Sequence, residues 1–284
     1  MSPTVPFASL PIDQRDVSSA YGPDSTVRPG VAAGTVDELR LDSSIRFPGT
    51  TRRVWVHRPS GHSADDTSAV MFFNDGWWYL DPDGDVRGGV VLDNLAADGS
   101  LPPIIGVFVD PGVVDVDGTP TKHRNAEYDA FDGTYADFLL EEVLPVVAAR
   151  YRVADDPMMR GVCGGSGGGN AATTAAWSRP DGIGRVIAFN PSFAQMPGGN
   201  PYPALLAAEA HRPTRVFLHA AHRDLHWDEP DRNWFAESLD TASVLARASW
   251  DFRLVVGDGG HAPNHGGVLL PDALRWSWSG TVGA

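Results

Sequence analysis

The chain has 284 residues, a length that α/β folds reach as one compact unit, and its 42% hydrophobic and 20% charged residues predict a sizeable core with little disorder. The formal charge is −14, from 36 acidic side chains against 22 basic ones, and a surface that acidic repels phosphate backbones and anionic lipid, which makes nucleic acid and membranes poor partners. A lone cysteine, Cys163, precludes an intrachain disulfide and a multi-cysteine metal site, and reads as a small buried side chain.

The amino end, MSPTVPFASLPIDQR, carries neither a basic start nor a long apolar run, and no later segment approaches the roughly 18 continuous apolar residues of a membrane span. A cytoplasmic location is therefore expected. Residues 1–33 are rich in Pro, Gly and Ser without periodicity, and predict an irregular arm lying on a single domain that spans 34–284. TTRRVWVHRPS then alternates as a strand does, Val54 and Val56 against Arg53, Trp55 and His57.

Short apolar runs follow: AVMFF from 69, IIGVFV from 104, RGVCG from 160, RVIAF from 185, RVFLHA from 215 and RLVVG from 253. Runs without alternation suit strands buried on both faces. Between and after them, residues 133–151, 233–249 and 266–278 show helical spacing of apolar residues. The alternation predicts an α/β fold in three layers, a mostly parallel central sheet covered by helices on both faces. The tryptophan-rich end LRWSW either packs internally or pairs subunits into a homo-oligomer.

One run carries chemistry. Gly164-Gly165-Ser166-Gly167-Gly168 satisfies G-x-S-x-G between the apolar RGVC and the helix-like NAATTAAW, the strand, turn and helix that a nucleophile elbow requires. Glycines two residues before and after the serine relieve collisions between the strand and the helix, and the helix start aims unpaired amides at an arriving oxyanion. The bland reading is a glycine-rich connector. A phosphate loop fits worse, since G-x-x-x-x-G-K-[ST] fails for want of lysine and Asn170 stands where the last glycine of G-x-G-x-x-G belongs.

Serine needs a base, and in this arrangement the acid and then the histidine follow it in the chain. His211, His219, His222, His226, His261 and His265 lie downstream, and only the last two follow the final apolar strand. His261, directly after paired glycines, is the preferred base, with His265 lining the pocket. Asp224, Asp228, Glu229 and Asp231 follow RVFLHAA, and Asp224, nearest that strand, is the expected acid. His222/His226 and His261/His265 have H-x-x-x-H spacing, but Pro263 interrupts the second pair and no H-E-x-x-H is present, so neither metal nor other cofactor is expected. The oxyanion would be held by the amides of Gly167 and of Trp77 in NDGWWYLDPDG, where Gly76 allows the bend. Three consecutive aromatics, Trp77, Trp78 and Tyr79, cannot all face inward, so at least one should contact substrate.

These residues resemble the esterase family that includes esterase D and the enterochelin (ferric enterobactin) esterases, within the α/β-hydrolase superfamily. The resemblance runs from about residue 20 to 278 through YGPDSTVRPGV, FPGTTRRVWVHRP, NDGWWYLDPDG, IIGVFVDPG, HRNAEYD, LLEEVLP, GGSGGG, RDL and GGHAPNHGGVLLPDALRWSW. It implies an α/β-hydrolase fold, Ser166 as nucleophile, His261 as base and Asp224 as acid, the same three residues. By the HRNAEYD match, Arg124 and Glu127 either bind a polar substrate group or form a buried ion pair. Gly76, Trp78, Arg124, Glu127 and His265 are thus the candidate substrate contacts. The sequence departs from relatives at Gly165 and Gly167, where bulkier residues are common, and at His222 and Arg223 before the acid. The expected activity is cofactor-free hydrolysis of a small-molecule carboxylic ester. The alternatives are acyl transfer to a sugar or other alcohol and a non-catalytic binding protein with an inherited cleft. A siderophore ester is disfavoured by the acidic charge.

Overall fold

A computed structural model describes residues 17–63, 65–208 and 212–281. The part of the arm at 1–16, and His211, lie outside the described residues. The central sheet has eight strands: β1 (Thr35–Leu41), β2 (Arg52–Arg58), β3 (Ala69–Asn74), β4 (Ile104–Val109), β7 (Arg160–Gly165), β8 (Arg185–Phe189), β9 (Arg215–Ala221) and β10 (Phe252–Gly257). A separate hairpin is formed by β5 (Val113–Val116) and β6 (Thr119–Lys122). The order across the sheet is β1-β2-β4-β3-β7-β8-β9-β10, antiparallel through β1, β2 and β4 and parallel from β4 onward.

The apolar runs earn their lack of alternation. On β3, Val70 and Phe72 join the core on one side of the sheet, while Ala69, Met71 and Phe73 join the core on the other. Cys163 is fully buried in the second of these cores. Two strands differ from expectation. On β2 the alternation suggested one wet face, yet Trp55 and His57 are both 3% exposed, because the side away from Val54 and Val56 is covered as well. RLVVG forms the edge strand β10, which has only β9 beside it, and Val256 there is half exposed. β1, the other edge, carries Asp37, Glu38 and Arg40 and gave no apolar signal.

The helices are α1 (Gly76–Leu80), α2 (Gly88–Ala97), α3 (Arg124–Tyr128), α4 (Thr134–Phe138), α5 (Leu144–Ala148), α6 (Gly167–Ser178), α7 (Tyr202–Ala208), α8 (Trp234–Arg247) and α9 (Asn264–Trp278). The helical pattern at 133–151 becomes α4 and α5 joined by a π turn, Leu139–Val143, just ahead of Pro145, which has no amide to continue the regular ladder. Trp278 is fully buried and Trp276 packs on Phe217, so the tryptophan-rich end is internal. Among the described residues no helix is long and apolar enough to cross a membrane.

Side chains within residues 17–33 contact the rest of the described chain. Tyr21 donates to the Asp85 carbonyl at 3.0 Å and lies under the Arg87 guanidinium. Pro271 inside α9 cannot donate to the carbonyl of Gly267, and the Ser25 hydroxyl does so instead at 2.5 Å.

Candidate active site

The strand β7 ends on Gly165, and α6 begins at Gly167. Ser166 between them takes φ 56° and ψ −129°, a conformation that costs a non-glycine residue about 1–3 kcal/mol and must be held by its surroundings. Its N–H donates to the Phe189 carbonyl at 2.9 Å, and its own carbonyl accepts from Gly169, Asn170 and Ser192 at 3.0, 3.1 and 3.2 Å. The glycines act as the sequence suggested: a Cβ on Gly164 would strike the backbone of Gly168, and one on Gly168 would lie 3.2 Å from Asn74 Cβ. Asn74 Nδ2 donates to the Gly168 carbonyl at 2.7 Å and fastens the helix start to β3.

Ser166 and His261 are both half-buried and line one cavity of about 210 Å³, with Trp78, Tyr79, Arg124, Phe189 and Asn190 among its other walls. His261 Nδ1 lies 2.6 Å from Asp224 Oδ1, which also accepts from the Leu225 amide at 2.7 Å. With Nδ1–H given to the carboxylate, Nε2 is left as the basic nitrogen. The two loops are tied together beyond β9 and β10: His222 N–H donates to Gly257 and Arg223 N–H to Gly259, at 2.8 and 2.9 Å. The Trp234 ring meets the His261 imidazole edge to face at 4.9 Å. No hydrogen bond joins Ser166 Oγ to His261 among the described residues, although both face the same cavity.

The other expected contacts divide. Trp78 and Arg124 line the cavity. Arg124 grips Asp75 with Nε and Nη2 at 2.6 and 2.8 Å. Glu127 does not line the cavity: it is paired with Arg52 at 2.9 and 3.0 Å, both side chains are fully enclosed, and it accepts from the Gly112 amide. His265 does not line the cavity. It is 4% exposed in the first turn of α9, its ring against His219 at 5.0 Å. Burial pushes its pKa down, and pushes that of the fully enclosed His219 to about 3, with the two neighbouring histidines adding to the second shift.

The Trp77 amide is not free for an oxyanion. It donates to Asp110 Oδ1 at 3.1 Å, and the indole leans on Trp55, outside the Ser166 cavity. Gly76 is required for a different approach, since a Cβ there would lie 2.6 Å from the Asp110 amide. The Gly167 amide makes no hydrogen bond to any described residue. Asn190 was missed by sequence reasoning: it holds φ 44° just after β8, lines the cavity and accepts from the Ala221 amide at 2.8 Å. A polar residue ending the apolar run RVIAF was the available signal. A wider cleft of about 830 Å³ adjoins at Trp78 and Arg124 and includes Arg53, Asp110 and Lys122 of the β5–β6 hairpin.

The family described as Putative esterase matches residues 45–261. Among solved structures, the fold superposes on the enterobactin esterase of Shigella flexneri with a TM-score of 0.71 at 21% identity, over 90% of this chain and 61% of that one. The ferric enterobactin esterase of Salmonella typhimurium gives 0.70 at 19% identity, over 95% of this chain and 64% of that one. A ferulic acid esterase of Anaeromyces mucronatus, solved with ferulic acid, gives 0.68 at 18% identity, over 94% and 97%. The chain thus has the α/β-hydrolase fold and spans about three fifths of the length of the enterobactin esterases it matches.

Proposed function

Because the chain belongs to the Putative esterase family, we propose that it hydrolyses carboxylic esters through an acyl-enzyme formed on Ser166. The observation that carries the reading is the left-handed Ser166, opening on the same cavity as an imidazole whose other nitrogen is held by Asp224 at 2.6 Å. His261 Nε2 takes the hydroxyl proton as Ser166 Oγ attacks the ester carbon. The negative charge that develops on the carbonyl oxygen is met by the Gly167 amide at the start of α6. Collapse of the tetrahedral adduct expels the alcohol, which takes the proton from the imidazolium. Water, deprotonated by the same nitrogen, then releases the acid and restores the serine. Asp224 fixes the imidazole tautomer and stabilises its charged form. The mechanism calls on no cofactor.

Ser166→Ala should abolish labelling by a fluorophosphonate probe and leave thermal stability within the range of ordinary surface changes. Equal labelling of the variant refutes the assignment. Asp224→Asn should lower kcat by about 10⁴-fold, because the wrong tautomer is then favoured. Transfer of the acyl group to an alcohol is the second reading, favoured by the room in the adjoining 830 Å³ cleft. Product analysis with and without added alcohol separates the two.

A further inference from the structure

The oxyanion of an acyl transfer is ordinarily met by two donors, and the first turn of α1 is where the second was expected. Its amides are already committed: Trp77 to Asp110 Oδ1 at 3.1 Å, and Trp78 and Tyr79 to the Asp75 carbonyl at 2.9 and 3.4 Å. The same turn delivers something else. The Tyr79 ring is 2% exposed, tilted against Phe73 at 6.2 Å and met edge-on by Trp78 at 6.1 Å. Its hydroxyl makes no hydrogen bond to any described residue, although a phenol at the end of a buried ring normally finds a partner. Tyr79 belongs to the lining that Ser166 and His261 share, so the open end of the phenol faces the cavity.

The residue before the nucleophile is shaped to this hydroxyl. A Cβ on Gly165 would stand 2.9 Å from Tyr79 Oη, closer than a side chain tolerates. Glycine immediately before Ser166 therefore leaves room for a polar group that any side chain there would displace. Burial, reinforced by Cys163 and Asp75, holds the phenol pKa well above its ordinary value, so the group stays a donor at neutral pH.

We propose that the Tyr79 hydroxyl is a catalytic hydrogen-bond donor to the ester carbonyl oxygen, supplementing the Gly167 amide. The assignment rests on the esterase reading above. A preorganised donor aimed at developing charge strengthens in the transition state, so its loss falls on kcat rather than on KM.

The test is Tyr79→Phe, assayed on a p-nitrophenyl acyl ester and against an alkyl boronic acid that forms a tetrahedral adduct on serine. A kcat lower by about 10²–10³-fold is expected, with KM within about twofold and boronate affinity reduced by a similar factor to kcat. Melting temperature should be unchanged, because the ring is retained. Gly165→Ala, which forces a methyl against Oη, should cost activity in the wild-type background and about threefold or less in the Tyr79→Phe background, where the clash is absent. A kcat for Tyr79→Phe within about threefold of wild type, or a loss confined to KM, overturns the proposal. Wild-type protein that takes no fluorophosphonate on Ser166 overturns instead the esterase reading beneath it.

Discussion

Removing Glu127 should cost the fold heavily and the chemistry little. Arg52 and Glu127 are enclosed with 0% of either side chain exposed, and the carboxylate also satisfies the Gly112 amide. Arg52 is braced from the other side by Phe138, 4.0 Å below its guanidinium. Glu127→Ala would leave that cation buried without its counter-charge, a loss of about 3–5 kcal/mol. For a chain of this length, with an unfolding entropy of about 0.6 kcal/mol/K, the melting temperature should fall by about 5–8 °C. Differential scanning calorimetry measures the fall, and kcat/KM per active site, normalised by fluorophosphonate titration, measures the chemistry. Arg52→Met with Glu127→Leu should recover most of the stability, since an apolar pair of similar volume needs no compensation. The reasoning fails if Glu127→Ala melts within about 1 °C of wild type, or if the folded variant loses activity by more than about tenfold, which would make the carboxylate a substrate contact after all.

Ser166→Gly should destroy activity yet raise stability by up to about 1–2 kcal/mol in urea denaturation, because the strain at φ 56° disappears while the elbow contacts persist. A destabilised variant would argue against stored strain. His219, held neutral with a pKa near 3, binds fewer protons folded than unfolded between about pH 6.5 and 3. Stability should therefore be complete above pH 6.5 and fall as pH drops through that window. His219→Phe should flatten this acid limb in a pH series of melting temperatures, and an unaltered limb would assign it to other groups.

Much of the centre of the molecule was legible because it obeys local rules. The runs at 69, 104, 160, 185 and 215 lie in strands with core on both sides, and the strand-turn-helix run is partly local too, since the Cβ missing from Gly164 would strike the backbone of Gly168, four residues on. What escaped depends on distant partners. Nothing in HRNAEYD says that Glu127 belongs to Arg52, 75 residues earlier, while Arg124, three residues away, takes Asp75. Nothing in NDGWW says that Asp110, at the far end of IIGVFVD, will take the Trp77 amide. β1 was invisible for another reason: an edge strand with charged residues on an exposed face has neither an apolar run nor a clean alternation.

The Ser25 hydroxyl that serves the carbonyl left over by Pro271 joins the two ends of the chain. The helix it steadies starts three residues after His261, and Asn264 at that start also holds the Ser19 carbonyl at 2.9 Å. Ser19 and Ser25 thereby brace the start of the helix that follows His261. Losing the Ser19 and Ser25 contacts would leave every described strand in place, yet it would loosen the mounting from which the His261 imidazole hangs.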